Sequence, residues 1–291
     1  MTTPATPLWR DYVQLCKPKV VVMLVFTAVV GMFLATPGLV PLDALVFGTI
    51  GIGLASAAGA AFNQIIDARI DELMDRTQRR PLPGRRVTRQ NAWLFAWCLC
   101  IAGTMLLAAT VNVLTAFLTL ASMVGYSVIY TVYLKRATPQ NIVIGGAAGA
   151  MPPVLGWTSV TGALDPHALL LFLIIFAWTP PHFWALAIHR REEYAKADIP
   201  MLPVTHGEAY TKLQVIYYTI ILAIVSLLPF ITGMSGLAYL FAALVLDAGF
   251  LYQAWLLYAG RDGTRPMKVF AFSIYYLAAL FAALLIDHYL L

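Results

Sequence analysis

The chain has 291 residues, of which 60% are hydrophobic and 11% charged, against about 25% charged in an ordinary soluble domain. A mean hydropathy of +0.78 excludes a soluble globular enzyme, a disordered chain and a nucleic-acid binder. The net charge of +5 therefore reads as the basic face of a membrane protein, not as a nucleic-acid footprint. Three cysteines, with Cys98 and Cys100 two apart in an apolar run, give neither a disulfide framework nor a zinc site.

A bilayer-spanning helix needs about 20 apolar residues. The sequence predicts nine, at about 20–36, 44–66, 92–110, 112–133, 141–160, 168–188, 213–232, 236–258 and 268–288. All 19 lysines and arginines fall before span 1 or in the loops after spans 2, 4, 6 and 8. The alternate loops hold none. By the positive-inside rule the N-terminus is cytoplasmic and the C-terminus lies outside. No cleavable signal peptide is visible, because Trp9, Arg10 and Asp11 lead into the first span. The expected setting is a bacterial inner (plasma) membrane, multi-pass. The whole chain, 1–291, reads as a single transmembrane domain. The two long loops, about 67–90 and 189–212, both lie on the cytoplasmic side.

At the end of span 2, Asn63, Asp67 and Asp71 are spaced i, i+4, i+8. On a helix they drift only about 80°, so one amide and two carboxylates form an oxygen stripe. Hard oxygens in that pattern suit Mg²⁺ bridging to substrate phosphates. Arg76, Arg79 and Arg80 follow and can clamp phosphate oxygens. Polar groups one or two turns inside an apolar helix are functional by default, although acids and arginines also balance one another in solvated loops.

Span 6 carries Pro180-Pro181-His182 and leads to His189, Arg190, Glu193 and Asp198. The proline pair predicts a kink or an unwound turn. His182, about 9 Å from the helix end, can orient a carboxylate, act as a base or contact an iron. A packing histidine is the equal alternative. Glu193 and Asp198 are candidates for a second metal, and Arg190 for a phosphate.

Lys17 and Lys19 flank Pro18 at the mouth of span 1. Tyr126 and Tyr130 are i, i+4 on span 4, and Lys135 and Arg136 end it. Each has an ordinary reading as a snorkelling lysine, interface tyrosine or helix cap. Their convergence on one membrane face is the informative part. Asp247 lies nearer the other face of span 8, and a structural partner is expected for it. A transporter with a broken helix and a haem-carrying electron-transfer protein also remain open at this stage. So does a prenyltransferase with some other acceptor.

These residues resemble the UbiA-type intramembrane prenyltransferases. The Asn63-x-x-x-Asp67-x-x-x-Asp71 pattern is similar to that superfamily's first acidic motif. The stretch from Asp71 through Arg76, Thr77, Arg80 and Pro81 to Pro83, the stretch from Tyr126 to Trp157, and the stretch from Pro181-His182-Phe183-Trp184 to Pro203 narrow the likeness to the branch that farnesylates haem. The match covers about 10–290. The resemblance implies an all-α bundle of nine transmembrane helices around a central, laterally open cavity. It implies Mg²⁺-dependent transfer of farnesyl from farnesyl diphosphate to the 2-vinyl group of haem b, giving haem O and diphosphate. It implies that Asn63, Asp67 and Asp71 hold Mg²⁺ and diphosphate, with Glu193 in the second acidic motif. Here the sequence departs from the Asp-x-x-x-Asp spacing, since Asp198 follows Glu193 one residue further on. A terminal-oxidase assembly pathway, with haem A synthase or oxidase assembly proteins as partners, is implied in the same way.

Overall fold

The computed structural model describes residues 8–260 and 263–290. Arg261, one of the sorted cations, lies outside the described residues. Among those described, the chain is helical and has no strand. A short helix, α1 (Trp9–Leu15), meets α2 (Pro18–Leu34) at a bend of 54°. A π-helical turn, Ala44–Gly48, leads into α3 (Thr49–Asp71), followed by α4 (Arg89–Thr110). Then α5 (Val113–Val124) continues through a π-helix, Gly125–Leu134, to Ala137. After α6 (Asn141–Gly149) and α7 (Pro152–Thr161) comes α8 (Pro166–His189). Two short helices follow, α9 (Arg191–Lys196) and α10 (Leu202–Thr205), before α11 (Gly207–Ser226), α12 (Leu237–Ala259) and α13 (Arg265–His288).

Leu, Ala, Val and Ile run continuously enough to make these segments helical, and polar residues mark where they begin. Thr88 accepts from the Asn91 N–H at 3.2 Å, Asn112 from Thr115 at 2.8 Å and Asp165 from His167 at 2.8 Å. Each satisfies an amide with no partner inside the helix. Proline begins α2, α7, α8 and α13 within the first turn, where its missing N–H costs nothing.

Among the described residues, seven helices are long and apolar enough to cross a membrane, and α1 with α2 makes an eighth. The span expected at 141–160 is instead two helices, parted at Ala150–Met151 before the Pro152-Pro153 pair. Proline has no N–H to donate, so Pro152 and Pro153 cannot continue the hydrogen-bond ladder of the preceding helix. The opposite happens in α8. The expected unwinding at Pro180-Pro181 does not occur, and the helix is continuous there with both prolines buried. Packing by neighbouring helices tolerates intrahelical proline in this way.

The helices close into a ring: α2 packs on α3, α3 on α4, α4 on α5, α8 on α11 and α13, and α13 back on α2. The largest apolar core lies among α6, α7, α8, α11, α12 and α13, with a smaller one between α1, α3 and α4. The crossing of α2 with α7 is a seam of bare backbone. A Cβ on Gly31 would fall on the Pro153 carbonyl, and one on Gly156 on the Ala28 carbonyl. Lys17, Asp71, Lys135 and His189 all sit at one end of this ring, because each ends or begins a helix there.

Candidate active site

The last two turns of α3 carry Asn63, Asp67 and Asp71 on one face, all buried. Every one of them meets a cation or an amide from another part of the chain. The Lys17 ammonium donates to Asn63 Oδ1 at 2.5 Å. Asn63 Nδ2 donates to Asp67 Oδ2 at 3.0 Å and to Thr131 Oγ1 at 3.1 Å. Lys135 Nζ reaches the same Asp67 oxygen at 2.6 Å, and Arg80 Nη1 pairs with Asp71 Oδ2 at 2.7 Å. Thr77 ties the following loop down by donating to the Asp71 carbonyl at 2.9 Å. Three cations thus surround two carboxylates at the mouth of an apolar bundle. That excess of positive charge suits a polyanion.

The π-helix shapes the adjacent wall. Its wider turn lets Thr131 Oγ1 donate to the Tyr126 carbonyl, five residues back, at 2.8 Å. It stacks the Tyr126 and Tyr130 rings with centroids 5.7 Å apart and 14° between planes. Gly145 makes room for this stack, since a Cβ there would enter the Tyr130 ring.

The second cluster joins the first through a residue the sequence reading passed over. Tyr194, buried on α9, accepts a hydrogen bond from Arg76. Burial pushes the Tyr194 phenol above its usual range, and the Arg76 guanidinium partly opposes that. Arg190 pairs with Glu193 Oε1, and Glu193 Oε2 is buried without a partner. The signal for Tyr194 was present in its place directly after Glu193.

Four expected residues stay outside this arrangement. Lys19, Arg79, Arg136 and Asp198 are exposed. Asp198 occupies a left-handed turn at φ 52°, and no hydrogen bond or ion pair joins its carboxylate to Glu193 among the described residues. Its place beyond α9 turns it outward. Arg79 contributes its carbonyl, which accepts from Arg86 Nη2 at 2.8 Å.

His182 is buried in α8 away from these acids. Its ring stacks between Trp178 and Phe270, at 4.2 and 4.4 Å between centroids. Nδ1 lies 2.6 Å from Ser273 Oγ, whose hydroxyl donates to the Phe270 carbonyl at 2.7 Å. We assign the ring proton to Nδ1 on that network, which leaves the Nε2 lone pair free.

Among the described residues no three His, Cys, Asp or Glu side chains converge as a ready-made metal cage. The donor set still fits Mg²⁺. Asp67 Oδ1 and Glu193 Oε2 are buried oxygens with no hydrogen-bond partner, and Mg²⁺ takes one or two carboxylates together with substrate phosphate oxygens.

Residues 24–284 match the UbiA prenyltransferase family. In overall fold, an enzyme described as a digeranylgeranylglyceryl phosphate synthase in membranes superposes with a TM-score of 0.80 at 20% identity, covering 97% of this chain and 99% of that one. A UbiA homologue from Archaeoglobus fulgidus, bound to DMAPP and Mg²⁺, superposes with a TM-score of 0.63 at 18% identity, covering 94% and 99%. The chain belongs to the UbiA family of intramembrane prenyltransferases.

A protoheme IX farnesyltransferase from Hahella chejuensis is 57% identical over 99% of this chain and 97% of its own length. Protoheme IX farnesyltransferase 1 from Pseudomonas fluorescens is 60% identical over 98% and 95%. Within the UbiA family the chain falls in the protoheme IX farnesyltransferase group, and it is an enzyme.

Proposed function

We propose that this protein transfers the farnesyl group of farnesyl diphosphate to the 2-vinyl group of haem b, with addition of water, releasing diphosphate and haem O. One observation carries the reading: a buried cluster of Asp67 and Asp71 with Lys17, Lys135 and Arg80 closes one end of an apolar bundle. The family grouping and the Archaeoglobus homologue bound to DMAPP and Mg²⁺ support the same chemistry.

Asn63, Asp67 and Asp71 would hold Mg²⁺, with Glu193 serving the second motif. When bound, the metal supplies positive charge against the diphosphate oxygens. Lys17, Lys135, Arg76 and Arg80 grip those oxygens and stabilise the charge that develops as the allylic C–O bond breaks, its electron pair leaving on diphosphate. The apolar interior excludes bulk water from the allylic cation. The distal vinyl carbon supplies its π electrons to the farnesyl carbon. The cation then lies beside the porphyrin and takes the oxygen of one water, which releases a proton. Tyr126 and Tyr130 would hold that water. His182, with its Nε2 lone pair free, would orient the porphyrin or meet its iron.

On this reading α6 and α7 together make the ninth pass, the N-terminus lies in the cytoplasm, and the site opens on the cytoplasmic face of a bacterial inner membrane. The loops at about 67–90 and 189–212 cap one domain spanning the chain. Haem A synthase or oxidase assembly proteins are the expected recipients of the product.

The test is incubation of the purified protein with Mg²⁺, farnesyl diphosphate and haem b, with the porphyrin read by mass spectrometry. A product heavier by one farnesyl group plus water is expected. Unchanged haem, with diphosphate released when other acceptors are offered, would discard haem as the acceptor.

A further inference from the structure

Lys17 has φ 49° and ψ 62°, a left-handed geometry that residues with a Cβ seldom adopt. It allows the chain to turn from α1 into α2 while the ammonium points back to Asn63. Strain of this kind persists only where the surroundings hold it, and here three residues do. Gln64, next to Asn63, donates from Nε2 to the carbonyls of Gln14 and Leu15, each at 3.0 Å. Those are the last carbonyls of α1, directly before the turn. Asp11, buried, pairs with Arg86 at 2.7 Å. Arg86 Nη2 also donates to Gln14 Oε1 at 2.9 Å and to the Arg79 carbonyl at 2.8 Å. One guanidinium therefore holds both α1 and the loop that carries Arg76 and Arg80.

We propose that Asp11, Gln64 and Arg86 are positioning residues. They clasp α1 onto α3 and the α3–α4 loop, so that Lys17 is held against the diphosphate site. The inference rests on the diphosphate reading of the site and adds to it residues that touch neither metal nor substrate. The other face of α1 exposes Leu8, Trp9 and Val13, as befits a helix lying at a lipid interface. The clasp thus fixes Lys17 from a helix that would otherwise follow the membrane surface.

The experiment titrates inorganic pyrophosphate with Mg²⁺ into the full-length protein in detergent, by calorimetry. The variants are Asp11→Asn, Arg86→Gln, Gln64→Met and Lys17→Met, and each of the first three in the Lys17→Met background. Asp11→Asn removes an anion and Arg86→Gln a cation, so a field acting through space would move affinity in opposite directions. The clasp predicts that both weaken pyrophosphate, by about tenfold. Loss of the clasp also raises KM for farnesyl diphosphate more than it lowers kcat. In the Lys17→Met background the same substitutions cost less than about twofold, because the group they position is gone.

Opposite shifts for Asp11→Asn and Arg86→Gln overturn the clasp, as do losses that multiply with Lys17→Met. Thermal unfolding in detergent checks folding. Gln64→Met, which alters no charge, carries the test if either member of the ion pair proves unfolded. A wild-type protein that binds no pyrophosphate overturns the reading of the site itself. Normal binding that all three variants retain overturns the clasp alone.

Discussion

Asp67 and Asp247 both carry a carboxylate into an apolar helix, at 2% and 5% exposure, yet their surroundings differ in kind. Asp247 Oδ1 accepts from Tyr276 at 2.6 Å and its Oδ2 from Ser226 at 2.7 Å, while the Tyr239 hydroxyl holds the Ser226 carbonyl at 2.6 Å. Every partner is neutral, both oxygens are used, and the group ties α11, α12 and α13 together. Asp67 crowds Lys135 and Asn63 onto one oxygen and leaves the other with none. A completed neutral network holds helices in place. A cation-loaded carboxylate with an oxygen to spare is arranged for something else to arrive.

The contrast can be broken most forcefully at Asp67. Asp67→Ala should lower farnesyl transfer by about a thousandfold while the detergent-solubilised protein keeps its unfolding temperature. Full activity in that variant removes Asp67 from the metal site. Asp247→Ala should do the reverse, costing about 1–3 kcal/mol of stability with kcat nearly unchanged; a collapse of kcat in folded protein would place Asp247 in the chemistry. Gly145→Ala sharpens the comparison on the Asp67 side. Its Cβ would displace the Tyr130 ring, so transfer should fall about tenfold, and that loss should vanish when Tyr130 is already alanine. The smallest effect belongs to Asp198→Asn. Steady-state rates should change by less than about twofold for an exposed carboxylate outside the cluster, and a large loss would return Asp198 to the second motif.

Much of this arrangement is legible from residue order. The four-residue spacing of Asn63, Asp67 and Asp71 places them on one face without any coordinates, and hydropathy locates the long helices. Hydropathy reports how apolar a segment is, not the pitch of its backbone bonds, so the π-helix under Tyr126 and Tyr130 was invisible. For the same reason the sequence predicts a break at Pro180-Pro181 and none within 141–160, whereas the break falls at Ala150–Met151 and α8 is continuous. Tertiary packing decides between those outcomes. The grip of Lys17 on Asn63 and of Lys135 on Asp67 joins residues far apart in the chain. Nothing local announces either, and Arg86 looked like one more loop cation until Asp11 was found beside it.

The seam between α2 and α7 has a bearing on the other end of the molecule. Gly31 and Gly156 each accept the opposing backbone where a side chain would stand, so the two helices are notched into one another in both directions. Sliding α2 along α7, even by about 1.5 Å, would carry both backbones out of these notches. The helix therefore has one permitted height. Lys17 stands at its head, about 21 Å up the axis at that rise. The notch acts as a datum from which the altitude of the ammonium is gauged, and a methyl group added there would be felt as misalignment where the phosphates are read.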